Sequence, residues 1–434
     1  MPPTDADLVM IANGTIAGRI TRLDRNRLRL TYDDAYAASS DATPLSVTLP
    51  VAETSHTDTA ARPVVTNFLW GLLPDDDKVR TQIATTFGVR STSPFFLLGS
   101  PIGEDTAGAF TFVPEPGVDK HLARGGHVEW LDDQTVAALL REVQARGVVT
   151  LGPENAGRFS LAGMQRKIAL RQEKDQWGRP SGTAATTHIL KPAAVMDGQD
   201  LNEHLCLAAA HAVGVRAATT TIRTFAGETA LVVERYDREW IDGSLNRIHQ
   251  EDLCQAMGLP PTMKYQIDGG PSPKEIVELF RATMRFEDAE PSTRRFAEAL
   301  ALNWIIVGTD AHAKNYSLLH RGGRAELAPL YDVSSWLPYH EPGRERHVKM
   351  AMTLGGEADI FPVLDHWNRA GSQLRLPAGA MRARAIELCK TLPDAIADAA
   401  HDPMITAFDS SVVAALVDGI AVQARRCLVA MAGR

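Results

Sequence analysis

The chain has 434 residues, and at roughly 100 to 200 residues per domain this length predicts two or three structural units. Hydrophobic residues at 44% and charged residues at 23% exclude a disordered or low-complexity chain. Forty-five Lys and Arg against 53 Asp and Glu give a net charge of −8, which disfavours autonomous binding of nucleic acid.

The cysteine pattern and the apolar segments indicate the compartment. The four cysteines lie far apart with no CxxC pair, so we predict reduced, buried thiols rather than a zinc knuckle or a redox dithiol. The N-terminus lacks the pattern of a secretory signal, and no segment reaches the roughly 20 apolar residues of a membrane helix. These features predict a cytoplasmic protein without a membrane association.

The first 116 residues begin with short strands. Apolar runs at 8–11, 15–23 and 28–32 predict three strands, and Asn13-Gly14 predicts a hairpin between the first two. Between 64 and 96 the apolar spacing becomes helical, with a break near Pro74.

The rest of the chain changes from strands to helices. After a connector at 117–126 and a helix at 130–146, we predict strands at 159–170, 187–191, 219–225 and 228–235, with a helix at 202–213 among them. Beyond Tyr236 we predict mainly helices, at 276–284, 293–307 and 378–434. The pattern predicts an α+β protein with a strand-rich lobe and an all-helical lobe, divided into domains at 1–116, 117–238 and 239–434.

The segment from Gly308 to Ser317 carries the clearest chemical signal. It follows an apolar helix and places Asp310 and Asn315 in a predicted loop with four residues between them. This is the catalytic-loop spacing of protein kinases, in which the Asp accepts a hydroxyl proton and the Asn holds a magnesium ion. Phosphoryl transfer requires a base and a metal ligand in one small volume, which explains the spacing.

Asp332 follows an apolar, strand-like run 17 positions after Asn315. Kinases present a second metal-binding Asp shortly after the catalytic loop. The alternative role is a turn or helix N-cap ahead of Ser334. With Asp310 and Asn315 upstream, we favour the metal ligand.

Three further features match the parts of a kinase. Lys191 ends a strand and is a candidate for holding nucleotide phosphates, with Glu203 on the next helix as its ion-pair partner. Glu234, Tyr236 and Asp237 close the last strand before the helical half, where a hinge would meet adenine. Solvated surface roles for Lys191 and Glu203 stay open.

A basic segment precedes Lys191. From Arg158 to Lys191 there are seven Lys or Arg against two acidic residues, a local charge of +5. Local positive charge suits a triphosphate, although a solvated basic hairpin is an equal alternative at this point. The first part of this segment, 158–167, has a single glycine, Gly163, and so matches a glycine-rich loop only weakly.

These motifs occur in the order seen in one known family, and nearly the whole chain resembles the HipA-family serine/threonine kinases, the toxins of HipBA toxin-antitoxin modules. The motifs are Asn67-Phe-Leu-Trp-Gly-Leu-Leu-Pro74, Ser160-Leu-Ala-Gly-Met-Gln-Arg-Lys167, His188-Ile-Leu-Lys191, Val233-Glu-Arg-Tyr-Asp-Arg238, Gln250-Glu-Asp-Leu-Cys-Gln255, Lys264-Tyr265 with Asp268-Gly-Gly-Pro271, Thr309-Asp-Ala-His-Ala-Lys-Asn315 and Tyr331-Asp332.

The resemblance implies a bilobal, protein-kinase-like fold that binds ATP and Mg²⁺. It implies Asp310 as catalytic base, and Asn315 and Asp332 as magnesium ligands. The residues it implies for the nucleotide are Lys191, Glu234, Tyr236, Asp237, Gly163, Gln165, Lys167, His312 and Lys314. It further implies a helix-turn-helix HipB-like antitoxin as partner, DNA contact mainly through that antitoxin, and an aminoacyl-tRNA synthetase such as glutamyl-tRNA synthetase as substrate.

Ser160 corresponds to the serine whose autophosphorylation ejects a loop and inactivates family members. Phosphate there would add charge to a segment that must wrap ATP. Three positions depart from the family pattern: Arg166 replaces an acidic residue, Ile168 replaces a hydroxyl residue and Ala311 replaces a glycine. The first two put autoinhibition at Ser160 in question.

Two alternatives remain at this point. A small-molecule kinase of the aminoglycoside or choline type also uses Asp-x4-Asn followed by an Asp, but it would not need the large N-terminal unit. A catalytically silent corepressor or scaffold beside a DNA-binding partner is the second alternative. Intact Asp310, Asn315, Asp332 and Lys191 count against it.

Overall fold

The computed structural model of the protein describes residues 6–24, 27–146, 162–193, 197–340, 347–408 and 410–432. The chain divides into two compact units, each assembled from separated stretches of sequence. The first unit comprises Met1–Pro192, Thr224–Pro261 and Leu318–Ala325, and the second comprises Ala193–Arg223, Thr262–Ser317 and Glu326–Arg434. The three domains at 1–116, 117–238 and 239–434 stay a prediction.

An antiparallel five-stranded sheet in the order β4-β3-β2-β1-β5 opens the first unit. Its strands are β1 (Leu8–Ala12), β2 (Thr15–Arg22), β3 (Leu28–Tyr32), β4 (Ser55–Thr57) and β5 (Phe110–Pro114), with helices α1 (Asp34–Ala37), α2 (Val64–Gly71), α3 (Asp77–Thr86) and α4 (Pro94–Leu98). The predicted hairpin is confirmed, because Asn13 and Gly14 both have positive φ between paired Ala12 and Thr15. Phe68, Leu97 and Phe112 lie in one buried cluster under this sheet.

The next segment builds a six-stranded sheet in the order β10-β11-β9-β7-β8-β6. Its elements are α5 (Val118–Ala123), β6 (Gly126–Leu131), α6 (Asp133–Arg146), β7 (Ile168–Glu173), β8 (Gln176–Gly182), β9 (His188–Pro192), α7 (Gln199–Ala212), β10 (Thr220–Phe225) and β11 (Glu228–Glu234). Val136 and Leu140 of α6 pack with Leu190 and Trp177 of the sheet. Helix α7 belongs to the second unit.

Two predicted boundaries in this segment are corrected. The helix predicted from residue 130 begins at Asp133, because Trp130 and Leu131 pair with β8 as the end of a strand. The strand predicted at 159–170 begins at Ile168, and its first residues, 159–161, lie outside the described part of the chain. The predicted connector at 117–126 contains helix α5.

The remaining elements follow in chain order. They are β12 (Arg238–Ile241), β13 (Ser244–Arg247), β14 (His249–Asp252), α8 (Leu253–Ala256), α9 (Pro273–Thr283), α10 (Phe286–Ile306), β15 (Ser317–Arg321), β16 (Arg324–Leu327), β17 (Lys349–Leu354), β18 (Glu357–Asp359), α11 (Leu364–Gln373), α12 (Ala380–Ala400), α13 (Pro403–Thr406) and α14 (Ser411–Met431). Sheets β12-β13, β14-β15-β16 and β17-β18 complete the topology.

The α+β class is confirmed, but the expectation of an all-helical second half is wrong in detail. The second unit is mainly helical and also contains the hairpin β17-β18. Its centre is α10, which packs against α9, α12 and α14. Phe296 and Trp304 of α10 are fully buried, so this helix fixes the position of the loop that follows it.

Two sequence expectations concern compartment and thiols. All four cysteines are free and buried, as predicted. Among the residues that the structure describes, no helix is both long enough and apolar enough to cross a membrane.

Helix α9 begins with a capping box that gives a first testable prediction. Ser272 Oγ accepts from the backbone N–H of Glu275, and the Glu275 carboxylate accepts from the Ser272 N–H at 2.8 Å. We expect Ser272→Ala to lower the free energy of unfolding by about 1 kcal/mol, the usual value of an N-cap. Urea unfolding measures it, with the exposed Ser244→Ala as control. Equal midpoints for the two variants would contradict the capping role.

Candidate active site

The end of α10 directs the chain into the predicted catalytic loop. Val307 adopts a left-handed conformation with φ of +55°, which is unusual for a β-branched residue. The next residue, Gly308, donates its N–H to the carbonyl of Asn303 at 2.7 Å. A Cβ at Gly308 would collide with the buried Asn303 side chain, so glycine lets the two approach without displacing it. Backbone strain of this kind is found where a functional loop needs a fixed direction.

Asp310 and Asn315 lie in one loop, as their spacing predicts. The Asn315 Nδ2 donates to the carbonyl oxygen of Asp310 at 2.8 Å, and the His312 N–H donates to the same carbonyl at 2.7 Å. Asp310 itself is exposed, whereas Asn315 is buried. The backbone is therefore held while the carboxylate of Asp310 stays accessible.

Asp332 is tied to this loop through the residue before it. The Tyr331 hydroxyl donates to the carbonyl of Lys314 at 2.6 Å and lies 2.6 Å from Ser317 Oγ. Asp332 has a φ of +57°, which Asp tolerates better than most residues. The short helical turn that follows is capped at Trp336, so Asp332 is not its N-cap.

His312 lies among the charges of the site. Burial lowers the pKa of His312 to about 4, against the opposing effect of Asp310, and the Asp332 carboxylate also acts on it. The ring is therefore neutral at pH 7. Its Nδ1 is buried and has no hydrogen-bond partner among the described residues. Lys314, two positions on, is also buried.

The oxygen donors of the loop suit a hard divalent cation. The side-chain nitrogen of Asn315 donates to the Asp310 carbonyl, which leaves the amide oxygen of Asn315 free of that bond. Asp332 offers a carboxylate. No group of three or more His, Cys, Asp or Glu suited to a metal occurs among the described residues. Mg²⁺ needs no such cage, because it is commonly held by one or two carboxylates together with substrate phosphates. The residues present therefore fit Mg²⁺ delivered with a nucleotide.

Lys191 and Glu234 lie on neighbouring strands of the first unit. Lys191, on β9, pairs with Leu231 of β11, and Glu234 at the end of β11 pairs with His188. Lys191 is only 5% exposed, which contradicts a solvated strand end, and it has interacting partners. Glu203 is buried on α7 in the second unit. Its pairing with Lys191 stays a prediction.

The segment after β11 contains a buried ion cluster that the sequence did not indicate. Asp237, predicted at the nucleotide, accepts from Arg235 at 2.7 Å and from the Gly108 N–H at 2.8 Å, and lies 2.9 Å from Arg238. Asp105 joins the same cluster through Arg238 at 2.9 Å. We interpret Asp237 as a residue that holds the Tyr236 segment in place.

The predicted phosphate loop is described only from residue 162. Ser160 lies outside the described residues. Gly163 has a φ of +101°, and the Lys167 Nζ donates to the Ala162 carbonyl at 2.8 Å, while Gln165 is half-buried. Arg166, which departs from the family pattern, donates to the carbonyl of Gln144 at the end of α6. These contacts close the loop on itself and on α6.

Tyr265 is a site residue to which the sequence assigned no role. Its hydroxyl donates to Asp310 Oδ1 at 2.5 Å, and its ring meets the His312 ring edge-on with centroids 5.0 Å apart. Tyr265 and Asp310 are 45 positions apart. The Lys264-Tyr265 pair is a visible motif in the sequence, but only the structure places it beside Asp310.

Comparison with known proteins gives a consistent result over nearly the whole chain. Residues 8–113 match the HipA N-terminal domain family, and residues 159–396 match the HipA-like C-terminal domain family. The chain is 32% identical to Y4mE of Sinorhizobium fredii over 423 residues, which cover 95% of this chain and 96% of that protein. It is 27% identical to the serine/threonine-protein kinase toxin HipA of Shewanella oneidensis, over 82% of this chain and 80% of that one.

A solved structure shares the fold. The HipA chain in a complex of HipA, HipB and operator DNA from Shewanella oneidensis matches with a TM-score of 0.80 and 24% identity, covering 98% of both chains.

Proposed function

The chain belongs to the HipA family of kinases, and on that premise we propose that it is an ATP- and Mg²⁺-dependent serine/threonine protein kinase acting as a toxin. The observation that carries this proposal is the loop in which the Asn315 side chain holds the Asp310 carbonyl. The charges of Asp310 and Asp332 both act on the buried His312 of the same loop, which supports placing Asp332 in the site. A base and two oxygen ligands in one volume are what phosphoryl transfer requires.

In the proposed reaction, Asp310 accepts the proton of a Ser or Thr hydroxyl as its oxygen attacks the γ-phosphorus of ATP. Mg²⁺, when held by Asn315 and Asp332, would neutralise negative charge on the phosphates. Neutral His312 adds no competing positive charge, and Asn315 fixes the loop by its bond to the Asp310 carbonyl. The remaining nucleotide contacts stay predictions; they are Lys191, Glu234, Tyr236, Gly163, Gln165, Lys167, His312 and Lys314.

The substrate and partner follow from the family alone. We propose an aminoacyl-tRNA synthetase, for example glutamyl-tRNA synthetase, as the protein that is phosphorylated. We further propose a HipB-like antitoxin that supplies most contact with DNA, which the net charge of −8 supports. Autophosphorylation at Ser160 belongs to the same proposal, and phosphopeptide mapping after incubation with Mg-ATP tests it.

The decisive experiment compares the phosphoproteomes of cells expressing the wild type and Asp310→Ala. We expect one or a few Ser or Thr sites to be phosphorylated only with the wild type, because general-base loss costs about 10²–10⁴-fold in rate. Asp418→Asn, on the exposed surface of α14, is the control and should behave as wild type. Label on small metabolites alone would favour a metabolite kinase. Identical growth and phosphorylation with wild type and Asp310→Ala would favour a silent scaffold.

A further inference from the structure

Tyr265 and Asp310 are held on one rigid frame in the second unit. On one side of Tyr265, the carbonyl of Lys264 accepts from the N–H of Ala313, within the catalytic loop, at 3.0 Å. On the other side, the Gln266 side chain accepts from the N–H of Thr353 on β17 at 2.8 Å. The same strand donates the Ala351 N–H to the carbonyl of Thr309 at 3.1 Å. Both ends of the Tyr265 segment are thus fastened to residues beside Asp310.

The backbone around Tyr265 is itself a tight turn. The carbonyl of Tyr265 accepts from the N–H of Asp268 at 3.0 Å and from that of Gly270 at 2.9 Å. Gly269 has a φ of +90°, and a Cβ at Gly270 would lie 2.7 Å from the carbonyl oxygen of Tyr265. The two glycines of Asp268-Gly-Gly are therefore required by the turn that presents the phenol.

The phenol ring is fixed as well as its backbone. The ammonium of Lys264 lies over the ring at 5.4 Å from its centroid, and the edge of His312 packs against it at 5.0 Å. With the ring held, the hydroxyl reaches Asp310 Oδ1 at 2.5 Å. A short bond between a fixed donor and a charged acceptor orients the acceptor strongly.

We propose that Tyr265 is a positioning residue for the catalytic base, a role that rests on the proposed function of Asp310. By donating to Oδ1 it fixes the carboxylate rotamer and leaves Oδ2 to accept the substrate hydroxyl. The hydroxyl proton passes to Oδ2 as the new O–P bond forms and the bond from the γ-phosphorus to ADP breaks. Tyr265 keeps its own proton throughout.

The test is Tyr265→Phe in the full-length chain, given radiolabelled Mg-ATP and a heat-treated cell lysate as acceptor. Labelled protein, released inorganic phosphate and the KM for ATP are measured together. Without the hydrogen bond from Tyr265, the Asp310 carboxylate can still activate water, which releases inorganic phosphate. It would orient the hydroxyl of a protein substrate poorly. We expect protein labelling to fall about tenfold relative to phosphate release, the usual effect of losing a bond to a charged group, with the KM for ATP unchanged.

Two further variants make the result interpretable. Tyr339→Phe removes a phenol whose hydroxyl donates to the Asp197 carbonyl at 3.2 Å, and should leave all three quantities unchanged. Gln266→Ala loosens the Tyr265 segment without touching the phenol, and should give a smaller loss of the same kind. It also keeps the proposal testable if Tyr265→Phe does not fold.

Each other outcome has a definite meaning. Equal loss of protein labelling and phosphate release would indicate a general structural role and overturn the proposal. Unchanged or faster labelling of protein, or phosphate found on Tyr265 itself, would also overturn it. If the wild type transfers no phosphate to protein, the proposed kinase function fails, and this is distinguishable because it does not depend on the variant.

Discussion

Replacing Asp332 with Asn is expected to lower the rate of Mg²⁺-dependent phosphoryl transfer by at least about 100-fold. Mutating residues that only hydrogen-bond to a metal ligand already lowers metal affinity or activity by about 10- to 100-fold, and Asp332 is proposed as a ligand itself. The substitution keeps the shape of the side chain, and Asn tolerates the left-handed backbone at this position. What it removes is the negative charge that we propose as a direct Mg²⁺ ligand.

The dependence on metal concentration separates this effect from loss of the base. Initial rates of ADP formation over a Mg²⁺ titration should show a raised requirement for Asp332→Asn and partial recovery at high Mg²⁺. Asp310→Asn should show no such recovery. Asp359→Asn, which removes the half-exposed carboxylate on β18 that pairs with Lys349, is the control. An unchanged Mg²⁺ requirement in Asp332→Asn would remove Asp332 from the metal site.

The site could be predicted from sequence where its residues share one loop. Asp310 and Asn315 are five positions apart, and a kinase-like loop after an apolar helix brings them together by local geometry alone. Asp332 could be added from its order along the chain. Tyr265 could not, because a hydrogen bond across 45 positions depends on the packing of β17 and the catalytic loop.

Hairpins with a clear turn sequence could be predicted, whereas a strand without such a turn could not. The Asn13-Gly14 turn predicted β1 and β2 because both turn residues tolerate positive φ. Asp242-Gly243 carries the same signal, with φ of 48° and 76°, and joins β12 to β13. This hairpin lies in the half of the chain where the sequence pattern predicts mainly helices. The strand Gly126–Leu131 has no such turn signal, and only its pairing with β8 defines it.

The buried ion cluster around Asp237 could not be predicted from the sequence, for a different reason. Its charges come from the β11–β12 connection, β12, β13 and the segment before β5, and each looks like an ordinary surface residue in the sequence. In the structure the side chains of Asp105, Asp237, Arg235, Arg238 and Arg247 are all at most 7% exposed. Burial converts these charges from solvated groups into mutually dependent ones.

The cluster leads to the largest expected effect on stability. Burial alone would raise the pKa of the Asp237 carboxyl, but Arg235 and Arg238 hold that pKa below its ordinary value. We expect Asp237→Asn to lower the free energy of unfolding by about 3–5 kcal/mol at pH 7, because it leaves buried guanidinium groups without their counter-charge. Urea unfolding measures the loss, and Asp359→Asn, which breaks a solvent-accessible ion pair with Lys349, should stay within about 1 kcal/mol of wild type.

Comparing substitutions that raise or lower the net charge of the cluster tests whether charge balance stabilises it. The cluster has three guanidinium groups and two carboxylates, so Asp237→Asn increases the excess of positive charge whereas Arg247→Met removes it. Arg247→Met should therefore cost less than Asp237→Asn, although it also gives up bonds to the carbonyls of Thr183 and Ala184. Equal losses would indicate that packing rather than charge balance stabilises the cluster.

At acid pH, the difference in the free energy of unfolding between the wild type and Asp237→Asn should become smaller. Because the pKa of Asp237 is lower in the folded chain than the ordinary value of 3.8, its contribution is complete above that value. It is lost as the pH falls below 3.8 toward the folded-state pKa, whereas Asn has no proton to bind. A gap that stays constant down to the acid transition would contradict the ion-pair origin of the stability.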